Sequence, residues 1–231
     1  MSRINGFVGR RDVLRLAGAG LAAAIVGMTW DGRSVRAEDA LPPDAALQKL
    51  LSGNQRFVQQ HSDHPHQSAK RLQEVAFAQH PYATILSCAD SRVPVEIVFD
   101  AGIGDLFDIR VAGNIVTAEV LGSLEYAAAL LGTSLIMVLG HERCGAVTAA
   151  VQNESLLGSI GSLVKAIKPA VNRVKDGADD LIELAVVENV HYQIEQMQQR
   201  SSVLAQLVNQ GQVKIVGGRY DLDTGAVSVV T

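Results

Sequence analysis

The stretch Ser134-Leu135-Ile136-Met137-Val138-Leu139-Gly140-His141-Glu142-Arg143-Cys144-Gly145 decides the fold. Residues 134–139 carry a single hydroxyl among aliphatic side chains and stop at Gly140. A run so short and so apolar reads as a strand covered on both faces, the pattern of a parallel sheet. It delivers a histidine just past its carboxyl end, with a cysteine three residues on at the start of the next predicted helix.

Working outward, residues 82–87 form another short apolar strand that ends at Cys88, and residues 105–111 form a further one. Residues 117–131 have helical spacing and are closed by Gly132. Helices dominate from Gly145 to about Asn209, after which strands 213–216 and 226–230 flank a turn at 221–225. Upstream, Asp44 is expected to cap a helix carrying Ala46, Leu47, Leu50, Leu51, Phe57 and Val58. A loop over residues 61–67, broken by Pro65, leads to a second helix over residues 68–79 that stops short of Pro81. Strands alternating with helices predict a three-layer α/β fold, with a mainly parallel central β-sheet flanked by helices.

Of the 231 residues, 48% are hydrophobic and 19% charged, enough to bury one core and too apolar for a disordered chain. A formal charge of −4 supplies no basic field, so no nucleic-acid partner is expected. The N-terminus reads as a leader. Arg10 and Arg11 precede an apolar stretch of 13 residues, 16–28, shorter than the ~20 a spanning helix needs. Val35-Arg36-Ala37 has small-x-small character. Residues 1–37 therefore resemble a twin-arginine-type signal peptide, with Val13 where phenylalanine is usual; the competing reading is an uncleaved surface helix. Cleavage after Ala37 leaves a domain of residues 38–231, removes six basic and two acidic residues, and takes the charge to −8. That domain is expected in the periplasm or otherwise exported, with no membrane attachment.

Cys88 and Cys144 are the only cysteines, which leaves one bridge or a metal site. Cys88 and His141 both follow predicted parallel strands, and sites gather at the carboxyl ends of such strands. Cys144, at a helix start, gains thiolate character from the positive end of the dipole. Two thiolates and an imidazole suit tetrahedral Zn²⁺, and three protein ligands leave a place for water. Two readings of the fourth position stand: Asp90 binds the metal, or Arg92 holds Asp90 away in a bidentate pair.

Cys88-Ala89-Asp90-Ser91-Arg92, with Gly140-His141-Glu142-Arg143-Cys144-Gly145, resembles the β-class carbonic anhydrases. The likeness runs on through residues 95–104, 110–114 and 188–220. It implies reversible hydration of CO₂ to bicarbonate and a proton by a zinc-activated water, one Zn²⁺ per subunit, and assembly as a homodimer or a multiple of dimers. The family's zinc ligands match Cys88, His141 and Cys144, and its catalytic dyad matches Asp90 and Arg92. Its substrate-side positions match Gln79, Phe107, Tyr126 and the backbone N–H of Gly145. Ile85 stands where one subtype needs a tryptophan for a bicarbonate pocket, so no such pocket is expected. Two other functions compete: a zinc hydrolase of carbonyl sulfide or carbon disulfide on the same fold, and a zinc- or redox-sensing protein whose cysteines toggle between metal and disulfide.

The remaining features read more plainly. His61, His64 and His66 are expected as solvated loop residues, with a second metal site or proton relay as the alternative. Phe107 and Tyr126 also fit a plain core role. Gly102-Ile103-Gly104 and Gly217-Gly218 lack the context of a nucleotide-binding loop. The helical segment 181–199, with Leu184, Val187, Tyr192 and Ile194, fits core packing with a dimer face as the remainder.

Overall fold

The computed structural model describes residues 41–153, 156–174 and 180–230. The predicted leader lies outside them. Five strands form one sheet: β1 (Ala83–Ser87), β2 (Leu106–Arg110), β3 (Leu135–His141), β4 (Lys214–Tyr220) and β5 (Val227–Val230). Their order is β2-β1-β3-β4-β5, with the first four parallel and β5 antiparallel to β4.

The predicted two-faced burial of β3 is complete, all seven of its residues being buried. Alternation then divides them between two cores. Leu135, Met137 and Leu139 pack with Ala46 and Leu50 of α1 (Pro43–Val58) and with Val95 and Val98 of α3 (Val95–Val98). Ile136 and Val138 face the other way. They meet Leu124 of α4 (Ala118–Glu125), Val190 and Met197 of α7 (Leu181–Arg200), and Leu204 of α8 (Ser202–Asn209). Each such fully buried side chain contributes about 1.5–3 kcal/mol. The result is the three-layer α/β fold. A third cluster caps the carboxyl end of the sheet, between α5 (Gly145–Gln152), α6 (Ile160–Val171) and α7, and it contains Cys88 and Cys144.

Several expected boundaries move. Helix α2 spans only Ala69–Val75 and buries none of its residues, so nothing holds 76–79 in helical form. The first helix begins at Pro43, where proline's missing N–H is no loss, and Asp44 lies in its first turn rather than at its cap. The helix expected over 117–131 is capped by the Thr117 hydroxyl, then widens into a π-turn over Tyr126–Leu130 before Gly132 at φ 73°. Ile85 lies wholly within the core.

Asp108, on edge strand β2, sits against Glu96 of α3. Its carboxyl is pushed up to about 8, first by burial and then by the hydrogen bond and charge of Glu96, with Arg110 opposing. An acid that keeps its proton longer when folded costs stability as pH rises from its unfolded value, about 3.9, toward its folded one. Asp108→Asn removes that cost. Its denaturation midpoint should therefore gain on the wild type from about pH 4 to about pH 8 and level off above; a pH-independent difference would contradict the assignment.

Candidate metal centre

The chain leaves β1 for β2 on one side of it, then crosses to β3 on the other. The crevice between the carboxyl ends of β1 and β3 is thus a topological switch point. The register ends with Ser87 beside Leu139, which sets Cys88 directly after β1 and His141 as the last residue of β3. His141 is one residue deeper in the sheet than expected, and is fully buried. Cys144 is the N-cap of α5, as predicted.

The donor atoms of Cys88, His141 and Cys144 lie within 4.8 Å of one another, and the two sulfurs are 4.0 Å apart as free thiols. His141 Nδ1 contacts the Glu142 carbonyl oxygen at 2.8 Å, which fixes the proton there and turns Nε2 toward the sulfurs as an acceptor. Nε2 is buried and has no hydrogen-bond partner among the described residues. An orphaned imidazole nitrogen beside two buried thiols fits a soft divalent ion, and the donor set is that of a three-ligand zinc site.

The thiols are electrically unequal. The Cys88 thiol is brought down to about 4 by its hydrogen bond with Cys144, then by His141 and the N–H groups of Gly113 and Asp90, against the cost of burial. The Cys144 thiol is pushed up by the neighbouring Cys88 sulfur and by burial, although the N–H groups of Val147 and Ala146 oppose this. A dication between them removes the conflict, because each thiolate then faces the metal's positive charge.

At the rim, Asp90 is bound by Arg92 through Nε to Oδ1 at 2.9 Å and through a terminal nitrogen to Oδ2 at 2.8 Å. The Arg92 N–H adds a third bond at 2.9 Å. These bonds hold the Asp90 carboxyl well below the usual carboxylate range. Asp90 Oδ2 stands 3.8 Å from His141 Nε2, so the carboxylate borders the donor group while Arg92 occupies both its oxygens. The sequence assigned no role to Arg110, which donates to the carbonyls of Cys88 at 3.1 Å and Asp90 at 2.6 Å and thereby fixes the loop between them. Nor did it single out Gly113, whose N–H points at Cys88 Sγ from 3.3 Å.

Of the other expected residues, Gly145 alone adjoins a ligand. Gly145 begins α5 beside Cys144, exposed, with nothing within 4 Å of where a Cβ would stand. Phe107 and Tyr126 pack on each other at 6.1 Å. Phe107 is in register with Thr84, four residues before Cys88, or about 13 Å along the strand. Gln79 lies on the exposed segment after α2. His61, His64 and His66 join no metal-ligating cluster among the described residues; His66 binds Asp105 at 2.7 Å.

A family model described as carbonic anhydrase matches residues 83–227. Carbonic anhydrase 2 of Mycobacterium tuberculosis is 40% identical over 187 residues, covering 79% of this chain and 90% of that protein. Among solved structures, the β-carbonic anhydrase CcaA superposes with a TM-score of 0.64 at 26% identity, over 80% of this chain and 95% of its own. A tetrameric β-carbonic anhydrase of Sordaria macrospora shares the fold, with a TM-score of 0.63 at 22% identity, over 80% of this chain and 96% of its own. The chain belongs to the β-class carbonic anhydrase family. It is a zinc-dependent lyase that hydrates CO₂, and the Cys88–His141–Cys144 group is its candidate zinc site.

His141→Ala or Cys144→Ser should each reduce bound zinc from one per chain to a small fraction of that, measured by elemental analysis after dialysis. Chelation of the wild type should free both cysteines for thiol titration. Full zinc content in either variant would show that the ion sits elsewhere.

Proposed function

We propose that Asp90 orients the attacking water during CO₂ hydration, with Arg92 keeping it ionised and off the metal. The observation that carries this is the bidentate Asp90–Arg92 pair at the edge of the donor group. Zinc held by the three ligands supplies the Lewis acidity that makes a water nucleophilic near neutral pH. Asp90, ionised there, accepts a hydrogen bond from that water and so fixes which lone pair faces CO₂. The N–H of Gly145, at the amino end of α5, favours the negative charge that builds on the substrate oxygens. Asp90→Asn keeps the shape and removes the charge. It should lower CO₂ hydration by about 10²-fold or more with zinc content unchanged, and near-wild-type activity would remove Asp90 from the chemistry.

We further propose that the working form is a homodimer or a multiple of dimers, and that Gln79, Phe107 and Tyr126 serve the partner's site. Within one chain these residues are not gathered around Cys88, whereas their surroundings are open. Phe77 is 84% exposed and Tyr126 38% exposed, and the outer edge of β2 pairs with no strand among the described residues. The tetrameric relative is consistent with such assembly. Mixing Gln79→Ala chains with Asp90→Asn chains tests this. A mixed dimer has one intact site only if Gln79 acts across the interface, so hydration should exceed that of either variant alone; no recovery would place Gln79 within its own chain.

The localisation we propose is export by the twin-arginine route, supported by Arg10, Arg11, the apolar stretch 16–28 and the cut site at Ala37. Export of the folded, metal-loaded chain would protect its thiolates in an oxidising compartment. Replacing both arginines by lysine should leave the precursor in the cytoplasm on cell fractionation; an unchanged periplasmic pool would discard the signal.

A further inference from the structure

Helix α7 carries two polar residues on its inward face, Asn189 and Gln193, each only 1% exposed. They are one turn apart, and Gln193 Nε2 donates to Asn189 Oδ1 at 3.0 Å. Asn189 Nδ2 donates to the Gly113 carbonyl at 3.0 Å, and Gln193 Oε1 accepts from the Val116 N–H at 2.8 Å. The pair thus holds the middle of the short turn Ala112–Asn114 and the segment that leaves it. Buried amides so completely used are neither surplus polarity nor a solvated face, since each unmade bond would cost desolvation without return.

What the turn presents is the Gly113 N–H, 3.3 Å from Cys88 Sγ. Gly113 takes φ 73° and has no room for a side chain: a Cβ there would stand 2.6 Å from Ile167 Cδ1. Glycine permits this turn but does not hold it, because it is also the most freely rotating residue. Something outside the turn has to fix the direction of that N–H. Helix α7 itself is seated closely, since a Cβ on Gly140 of β3 would stand 2.7 Å from Val190 Cγ2. The ladder therefore runs from the sheet that carries His141, through α7, to the amide on Cys88.

We propose that Asn189 and Gln193 are positioning residues for the metal centre, holding the 112–116 turn so that the Gly113 N–H stays on the Cys88 sulfur. The inference rests on the zinc site described above. An N–H aimed at a metal-bound thiolate withdraws charge from it and fixes its rotamer. Partners of this kind, one step behind the ligands, govern metal affinity and the electronic character of the sulfur.

The test uses the full chain, loaded with zinc or substituted with Co²⁺, as wild type, Asn189→Leu, Gln193→Met and Leu204→Ala. Leu204 is fully buried in a core cluster that contains none of the ligands and serves as a comparably destabilised control. Zinc affinity is read by competition with a chromophoric chelator, and the sulfur by its thiolate-to-cobalt charge-transfer band. Asn189→Leu should weaken zinc binding by about 10–100-fold and move the band to longer wavelength, with Gln193→Met doing both to a smaller degree. Leu204→Ala should leave both where they are. Unchanged affinity and an unmoved band in the folded variants overturn the proposal, as does an equal loss in Leu204→Ala. Should Asn189→Leu fail to fold, Gln193→Met decides by the same two readouts. A wild-type chain that takes up no zinc overturns the metal reading itself, and this inference with it.

Discussion

The parallel pairing of β1 with β3 is the constraint on which the rest depends. Thr84 to Ser87 lie beside Ile136 to Leu139, and only that register brings the residue after β1 level with the end of β3. Neighbouring strands are about 4.8 Å apart, close enough for one small ion to bridge the side chains that follow them. A slip of one residue would turn every β3 side chain to the opposite face. Leu135, Met137 and Leu139 would leave one core, and His141 would swing away from Cys88. Core packing and metal geometry therefore select the same register. The parallel arrangement also forces crossovers, and one of those crossovers contains the turn that aims Gly113 at Cys88.

Electrostatics divides the labour between a dry floor and a wet rim. Cys88, His141 and Cys144 are all buried, at 5%, 0% and 1% exposure. Two thiols at that depth cannot both ionise without a cation, which is why one sulfur is driven down and the other up. Asp90 sits at the edge with its charge secured by Arg92. A buried carboxylate would be drawn onto the ion, and a fully solvated one would not hold an orientation. Partly buried and clamped, Asp90 keeps both its charge and its direction.

The legible part of the sequence was the part where one residue type does one job. An unbroken apolar run signals a strand buried on both sides, and β3 is that strand. Cysteine and histidine beyond strand ends signal a metal, and the structure brings Cys88, His141 and Cys144 together. Helix ends were less legible, because α2 stops where tertiary contact stops and not where its spacing does. The supporting shell was hidden for a different reason. Asn189 and Gln193 look like ordinary polar positions on an amphipathic helix until the structure shows that they face inward. Gly113 is one glycine among 21; its role depends on a φ angle and on an N–H that every residue possesses.

The single chain also explains why the expected substrate residues could be named from sequence without being found around the ligands. CO₂ is small and nonpolar, so a site for it needs an apolar wall as well as an electrophile. Within one chain the ligands supply the electrophile, and they are bordered by the charged pair Asp90 and Arg92. The aromatic pair Phe107–Tyr126 lies four rungs down the sheet edge. Nothing in the backbone between Thr84 and Cys88 can shorten that distance, because β1 is an extended strand paired on both sides. Within the chain, Ile115 and Val147 pack with the two cysteines, and the assembly proposed above would add the aromatic part of that wall. The ring of Phe77 is exposed and the outer edge of β2 pairs with no strand among the described residues, so in the proposed assembly that side of the sheet is open to a second copy.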